Sequence, residues 1–562
     1  MASRGPEGPG LDPPRTRSGR SGTSGAPSTF DEGGLRALGD EVARTSGRRR
    51  GRGRSRHRKL WWVFGTVGLV VAVLLGGTAG YAWYLSSQIH RFNVRGLVDV
   101  PTTGADAGTE NILLVGSTDR CALKVQNAAY GLCSQGVNGV NSDVVMILHL
   151  NPNNRTLSVL SVPRDLFVPN ARAEGANKID AALYEGPSQL VSAINDNLGI
   201  PIQHYVVLNF DTFANVVDAL GKVKMYFPEP VFDAYSGLQV FSPGCVSLDG
   251  VHALQVVRAR HLQYKPPGVT TTNPAYWPFE NQSDLARIRR DHEFLRVLAT
   301  AVAKNGLSDP FTDAQLISSV APQLNVDKQF STSDMVNMVL DFHGVDANSA
   351  PQLTLPVQVD QFGSYLYKGG YYGDIEFPSN TQDSQVIDQF LAINDTTDTM
   401  TGLPLPAPST VTVSVVNGTG VTNQATDTSQ ALGALGFKLV GLGDAAPVAT
   451  HAETVVYFAH KTRADQSAAQ AVAKSLSGAV ITALGPTLDG AQVTVVTGTQ
   501  FAVNPAPASG AATTAAPTST TSSASTATTA PSTGAFQAPT PSVTPLQPWD
   551  PRSCTPSGGP GH

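Results

Sequence analysis

The chain has 562 residues, with 39 Lys+Arg against 44 Asp+Glu, 41% hydrophobic and 15% charged residues, and 4 cysteines. At roughly 100–200 residues per domain, that length implies two to four units; the apolar content excludes wholesale disorder, and so few cysteines exclude a disulfide scaffold. Charge is uneven: residues 1–60 hold 14 basic and 6 acidic side chains, leaving 25 basic and 38 acidic for the rest.

Residues 1–59 are rich in Gly, Pro, Ser and Arg and read as a disordered basic arm, ending in Arg48–Arg50 and the run Arg52 to Lys59. Trp61 to Leu85 then runs 25 residues without a charge, long enough to cross a bilayer. Trp61, Trp62, Tyr81, Trp83 and Tyr84 stand at its two ends, where amphipathic rings favour the headgroup level. We therefore expect a single membrane-spanning helix at 60–85, with the N-terminus cytoplasmic and residues 86–562 outside the cell membrane. The arginines also suit anionic membrane lipid. Nucleic-acid binding is the rival reading of the arm, but juxtamembrane charge already accounts for it, so no nucleic-acid partner is expected.

After a linker at 86–109, strand-like and helix-like pieces alternate. Ile112 to Val115 is a short apolar run; Asp143 to Leu150 and Thr156 to Val162 flank the turn signal Asn151–Asn154. Ser188 to Leu198 has helical spacing and His204 to Phe210 reads as a strand. Asp211 is a plausible helix cap before the apolar face Phe213, Val216, Val217 and Leu220, and Val223 to Phe227 is again extended. The mixture predicts an α/β domain over 110–395, with helices covering a mixed sheet.

A Pro/Thr-rich linker is expected at 396–409 and a second, smaller α/β domain at 410–502. Its predicted strands are Thr410–Val416, Lys438–Leu442, Glu453–Phe458 and Gln492–Val496, and its predicted helices Gln424–Leu435 and Ala464–Leu476. It carries no cluster of acids, bases or metal ligands and reads as a binding or spacer module. Residues 503–562, almost all Ala, Thr, Pro and Ser at first, read as a disordered tail.

Export places the cysteines in an oxidising space. Cys121 and Cys133 flank a Gly- and Asn-containing loop and are expected to form a disulfide, whereas Cys245 and Cys554 show no evident partner. The chain has no C-x-x-C pair, H-E-x-x-H, phosphate loop or G-x-S-x-G elbow, so zinc, ATP and serine-hydrolase chemistry lack their signatures.

Arginine carries the chemical signal. The apolar start of Val256-Val-Arg258-Ala-Arg260 predicts a strand, which would point Arg258 and Arg260 the same way, about 7 Å apart. Two such cations suit an anion of pyrophosphate span, because Arg grips phosphate oxygens in a bidentate fork; two surface arginines are the bland alternative. Arg287 and Arg290 lie three apart on a predicted helix, where Asp284 and Asp291 offer surface partners. Arg164 and Asp165 follow a strand and a rigid Pro163 turn; Ser117, Thr118, Asp119 and Arg120 end another strand, and Asp143 begins a third. Carboxylates at strand ends suit Mg²⁺ that also holds phosphate oxygens, or a base for an attacking hydroxyl. Together these are the parts of a phosphoryl-transfer site.

Laid end to end, these pieces resemble the LytR-CpsA-Psr (LCP) family in its actinobacterial form. The matching blocks are Asn111–Ser117, Ser142-Asp143, Ser161–Val168, Lys178–Ala182, Asn209–Asp211, Val217–Gly221 and Pro243–Cys245. The match continues through Leu248–Gly250, Ala253-Leu254, Arg258–His261, Asp284-Leu285 and Arg287-Ile288, and 410–502 is similar to the family's LytR C-terminal domain. The resemblance implies a mixed-sheet α/β sandwich whose apolar pocket takes a lipid tail. It implies a transferase moving a glycopolymer phosphate, typically of arabinogalactan, from a polyprenyl-pyrophosphate carrier to peptidoglycan, assisted by Mg²⁺. By matched position, Arg164, Arg258, Arg260, Arg287 and Arg290 grip the pyrophosphate with Arg120 beside them. Asp143 is implied as a metal ligand and Asp165 as an orienter of the arginines. Thr118 occupies the expected metal-binding aspartate, so Asp119, one place late, is the second candidate metal ligand and catalytic carboxylate; Asn141 stands for Arg, and Asp291 and His292 replace Gln-Gln. These departures motivate a second reading, a non-catalytic protein that binds lipid pyrophosphate or polymer. The family's historical naming motivates a third, transcriptional attenuation.

Overall fold

The computed structural model describes residues 83–84, 86–103, 106–121, 123, 132–136, 139–173, 175–281, 283–305, 318, 320–342, 345–346, 349–360, 365–445, 452–505 and 540–561. The basic arm, nearly all of the expected membrane segment and the start of the tail lie outside these residues. Among the described residues no helix is long and apolar enough to cross a membrane.

Seven strands build the central sheet: β1 (His90–Phe92), β2 (Glu110–Ser117), β3 (Ser142–Asn151), β4 (Thr156–Ser161), β5 (His204–Leu208), β6 (Asn325–Asp327) and β7 (Gln352–Thr354). Their order is β1-β6-β5-β2-β3-β4-β7. The sheet is mixed: β2 runs parallel to β5 and antiparallel to β3, which is antiparallel to β4. The Asn151–Asn154 turn closes the β3–β4 hairpin as its composition requires, and the end of β2, the start of β3 and the end of β4 therefore meet at one sheet edge. Ser117, Asp143 and Arg164 are all carried there.

Alternation along β2 divides its side chains between two layers. Leu113 and Val115 join the core under α1 (Pro187–Leu198), with Leu190, Val191 and Ile194. Ile112 turns to the other face with Val326 and Phe330. Further along that second face stand α2 (Phe210–Ala219), α3 (Gly250–Arg258) and α4 (Ser283–Asn305). Asn209, not Asp211, caps α2 by accepting from Thr212 N–H, and Asp249 caps α3 by accepting from His252 N–H. Gly250 lets α2 and α3 touch: a Cβ there would lie 2.1 Å from the Ala214 carbonyl oxygen.

The second domain has strands β8 (Thr412–Asn417), β9 (Lys438–Asp444), β10 (Thr454–Phe458), β11 (Val480–Leu484) and β12 (Val493–Thr497). Their order is β9-β8-β12-β10-β11, with α5 (Gln424–Ala434) and α6 (Arg463–Ala473) packed on them. Val455, Ile481 and Ala483 belong to the same buried cluster as Leu113 and Leu190, so the two domains share a core. The 396–409 connection is anchored as well: Asp398 is buried, and the Thr399 N–H donates to Gln470 at 3.0 Å.

One expectation fails in the tail, and one open question closes. Residues 540–561 are not disordered but return to the first domain, where Arg552–Ser553 pairs with the strand Val223–Phe227. Cys554 is joined to Cys245, the partner that spacing alone did not reveal. The low apolar content of the tail hid this docking, which uses backbone pairing, one ring and one buried charge. Cys121 and Cys133 are joined as well, with an S–S distance of 2.01 Å.

Candidate functional site

Arg164 follows β4 and reaches back over the sheet edge. It is hydrogen-bonded to the Asp143 carboxylate, and its Nε lies 3.4 Å from Asp165 Oδ2 and 3.6 Å from Asp284 Oδ1. Arg260 approaches the same two acids, at 3.6 Å from Asp165 and 3.4 Å from Asp284. Arg287, one turn into α4, lies 3.0 Å from Asp284 and donates to the Asp143 carbonyl at 2.7 Å. Three guanidinium groups thus converge on one buried carboxylate, Asp284. Lys178 adds a fourth cation, 2.8 Å from Asp165.

Two members of the cluster, Asp143 and Arg287, also line a cavity of about 150 Å³ between the sheet and the three helices. Its walls are apolar, including Leu114, Met146, Phe213, Leu254, Val257 and Phe294, while Asp143, Arg258 and Arg287 supply polar groups. Phe210, at the start of α2, presents its ring to two cations: Arg258 at 4.6 Å and Arg120 at 5.2 Å from the centroid.

Burial and neighbouring charge divide the carboxylates. Burial works to raise Asp143 and Asp165, but arginines outweigh it and hold both below the usual range, Arg287 and Arg164 for the first and Arg164 with Lys178 for the second. Burial wins elsewhere, raising Asp180 to about 7, Asp291 to about 8 and Glu376 well above a free carboxylate. Part of the local acidity is therefore discharged near neutral pH, and the cleft keeps a cationic surplus. An apolar slot ending in surplus arginine suits a lipid carrying phosphate.

The profile of the LytR_cpsA_psr family matches residues 86–376, and that of the LytR cell envelope-related transcriptional attenuator domain matches residues 410–501. The chain belongs to the LytR_cpsA_psr family. A relative from Corynebacterium glutamicum, named as a probable cell wall biosynthesis protein LcpB, is 30% identical over 283 residues, covering 50% of this chain and 62% of its own length. A polyisoprenyl-teichoic acid–peptidoglycan teichoic acid transferase TagU from Bacillus mycoides is 26% identical over 36% of this chain and 62% of its own. The chain thus spans under two thirds of these relatives. Among solved structures, a LytR-Csp2A-Psr enzyme from Actinomyces oris is 22% identical, with a TM-score of 0.41 over 54% of this chain and 95% of its own.

Of the six arginines that the family pattern singles out, Arg164, Arg260 and Arg287 meet around Asp284, and Arg120 and Arg258 meet at Phe210. Arg290 does not join them. It turns aside on α4, fully buried, where it pairs with Glu280 at 2.5 Å and donates to the Ala259 carbonyl. A three-residue step on a helix turns a side chain by about 60°, enough to leave the cleft. Arg258 and Arg260 are not two places along a strand either. Arg258 ends α3 and Arg260 follows it, because the Asp249 cap and the core positions Ala253, Leu254, Val256 and Val257 set a helical period. Asp284 and Asp291 do pair with Arg287, but in the interior: sequence spacing showed the partners and not their burial.

The two departures Thr118 and Asn141 bond each other. The Thr118 hydroxyl lies 3.2 Å from the Asn141 carbonyl, which it donates to, and accepts from the Asn141 N–H at 3.0 Å. Asp119 is in the turn beyond β2, its N–H on Ser117 Oγ at 3.2 Å, and is not among the residues lining the cavity. Among the described residues no group of three or more His, Cys, Asp or Glu side chains could hold a metal ion. Thr118 is thus committed to the loop, and Asp143 is paired with Arg164.

Proposed function

We propose that this family member is a membrane-anchored phosphotransferase, its folded body outside the cytoplasm, that links a polyprenyl-pyrophosphate-borne glycopolymer of arabinogalactan type to peptidoglycan. The observation that carries this reading is the convergence of Arg164, Arg260 and Arg287 on Asp284, with Arg287 also lining an apolar cavity. The lipid lies along the cavity wall and the pyrophosphate displaces part of the acidic company of the arginines. An acceptor hydroxyl oxygen bonds to the phosphorus that bears the glycan, the bond from that phosphorus to the bridging oxygen breaks, and polyprenyl phosphate leaves. The hydroxyl proton passes to Asp143, whose side chain is 26% exposed against 9% or less for Asp165, Asp180 and Asp284. A loose transition state asks little of that base and much of the cations. Mg²⁺ belongs to this proposal as an ion carried in by the pyrophosphate, where it neutralises phosphate charge.

The test is the full chain in detergent, given lipid-linked glycan, Mg²⁺ and peptidoglycan fragments, with ligated product as the readout. Transfer that survives Arg164→Ala and Arg260→Ala unchanged would refute the clamp. The Thr118–Asn141 contact favours a second reading, a binder of lipid pyrophosphate without turnover. Under it the wild-type chain binds the donor but makes no product, and Thr118→Asp gains Mg²⁺-dependent transfer.

A further inference from the structure

Beside the cleft, Val231–Asp233, Leu238–Val240 and Gln263–Tyr264 form a small antiparallel sheet. Val231, Leu238 and Val240 face the core. Phe232 is paired with both Gln239 and Gln263, and Gln263 is bridged to Phe279. Directly paired residues share a sheet face, so Gln239, Phe232 and Phe279 lie on one side, while Gln263 between the rings is buried, its amide donating to the Pro274 and Trp277 carbonyls at 2.8 and 3.1 Å. Phe241 extends it, its ring stacked 6.5 Å from Phe232 and edge-on to Trp277 at 6.1 Å. Phe241 and Phe279 are 51% and 60% exposed, an apolar face that calls for an occupant.

The strand of Phe232 is tied to the arginine cleft on its buried side, through Asp233, which has no solvent exposure. Its Oδ1 accepts from the Tyr235 and Ser236 N–H groups at 2.8 and 2.9 Å, and its Oδ2 accepts from the His261 N–H at 2.8 Å. The bonds fix the Tyr235 ring, 78% exposed, against the His261 ring at 4.5 Å. His261 directly follows Arg260. A solvent-facing aromatic lip is therefore held one residue from a guanidinium of the cleft.

The exposed part of the row sets the Phe232, Phe241 and Phe279 rings beside the Gln239 amide and contains no charge. Anionic polymers and anionic bilayers call for Lys or Arg, which this row lacks. Ring faces beside an amide match the C–H faces and hydroxyls of an uncharged sugar. We propose that Tyr235 and His261, continued by Phe232, Phe241 and Phe279, bind the neutral sugars of the donor as they leave the pyrophosphate. The proposal rests on reading the cleft as a lipid-pyrophosphate site.

The experiment compares two ligands on the full chain: farnesyl pyrophosphate, and a farnesyl pyrophosphate bearing a short neutral oligosaccharide. Tyr235→Ala, and separately Phe241→Ala with Phe279→Ala, should weaken the sugar-bearing ligand about fivefold while leaving farnesyl pyrophosphate within about twofold. Equal effects on both ligands, or none, overturn the platform. Failure of farnesyl pyrophosphate to bind the wild-type chain would instead strike the cleft reading, and the platform with it unless the free oligosaccharide still loses affinity in the variants. Vesicle binding or self-association that disappears in the variants without loss of sugar-bearing ligand assigns the face to lipid or a second copy and also overturns the proposal. Tyr235→Trp, which keeps a ring, should restore binding.

Discussion

Arg289 on α4 and Asp550 near the C-terminus are 261 positions apart and meet as a buried ion pair, with Nη2 3.3 Å from Oδ1. Asp550 also accepts from Gln547 N–H at 2.6 Å, and Trp549 beside it stacks on Tyr264 at 4.0 Å between ring centroids. Ser553 N–H donates to Glu293, again on α4. The same helix carries Arg287 into the cleft, so the returning tail grips the element that positions a cation of the cleft.

Removing Asp550 leaves Arg289 buried without its partner, with Arg290 4.0 Å away losing a second anion. Asp550→Ala should cost roughly 3–5 kcal/mol, as expected when one member of a buried ion pair is deleted. Thermal unfolding of the full chain checks it; a midpoint equal to wild type would show that the tail does not brace α4.

The Cys245–Cys554 bond closes a loop of 309 residues. Cys554→Ser should lower stability by about 2–4 kcal/mol through the freed denatured chain. Denaturant titration of the variant, beside wild type with and without reductant, measures it. Reductant should also open Cys121–Cys133, so the variant should lose less than the reduced wild type.

Asp284 separates three guanidinium groups, each within 3.6 Å of its Oδ1. Asp284→Ala should let them repel and spread. Transfer should fall roughly 100-fold, about 2.7 kcal/mol in the barrier, while the lipid tail keeps its wall. A steady-state assay should show the loss mainly in turnover.

Phe210 touches both Arg120 and Arg258 through its ring. Phe210→Leu keeps an apolar cavity wall but removes the ring attraction, worth about 0.5–1 kcal/mol at partly exposed sites. Farnesyl pyrophosphate should bind a few-fold more weakly, with the heavier loss at low ionic strength. Isothermal titration at two salt concentrations reads both effects.

Burial lowers His149 and His292 to about 4, each neutral ring hydrogen-bonded, to Asn111 and Ser161 respectively. An unfolded histidine takes up its proton near 6.5, so between about 6.5 and 4 the unfolded chain binds more protons and stability must fall as pH falls. Each ring contributes about 3 kcal/mol across that window. Unfolding midpoints at pH 7, 5.5 and 4.5 should decline, and less steeply in His149→Gln.

Periodicity and turn chemistry act over a few residues, and such features were legible in the chain alone. The β3–β4 hairpin, the α1 and α2 helices, most elements of the second domain and the strand-end placement of Asp143 and Arg164 follow from local pattern. Family blocks marked the arginines. Whether a cation faces a cleft or the interior depends on packing many residues away, and there the local signal stopped: Arg290 and Arg287 look alike on a helical wheel, yet Glu280 and Asp550 hold one in the core while Asp284 and the cavity hold the other. Short apolar runs cannot tell strand from helix, which is why the Arg258 segment needed its Asp249 cap and its neighbours to settle as α3. The tail shows the same limit most plainly, since a low-complexity spacer followed by one Trp, one Asp and one Cys carries no periodic signal. Only closure of the fold supplies the Tyr264 ring, the Arg289 charge and the Cys245 sulfur that make those residues structural.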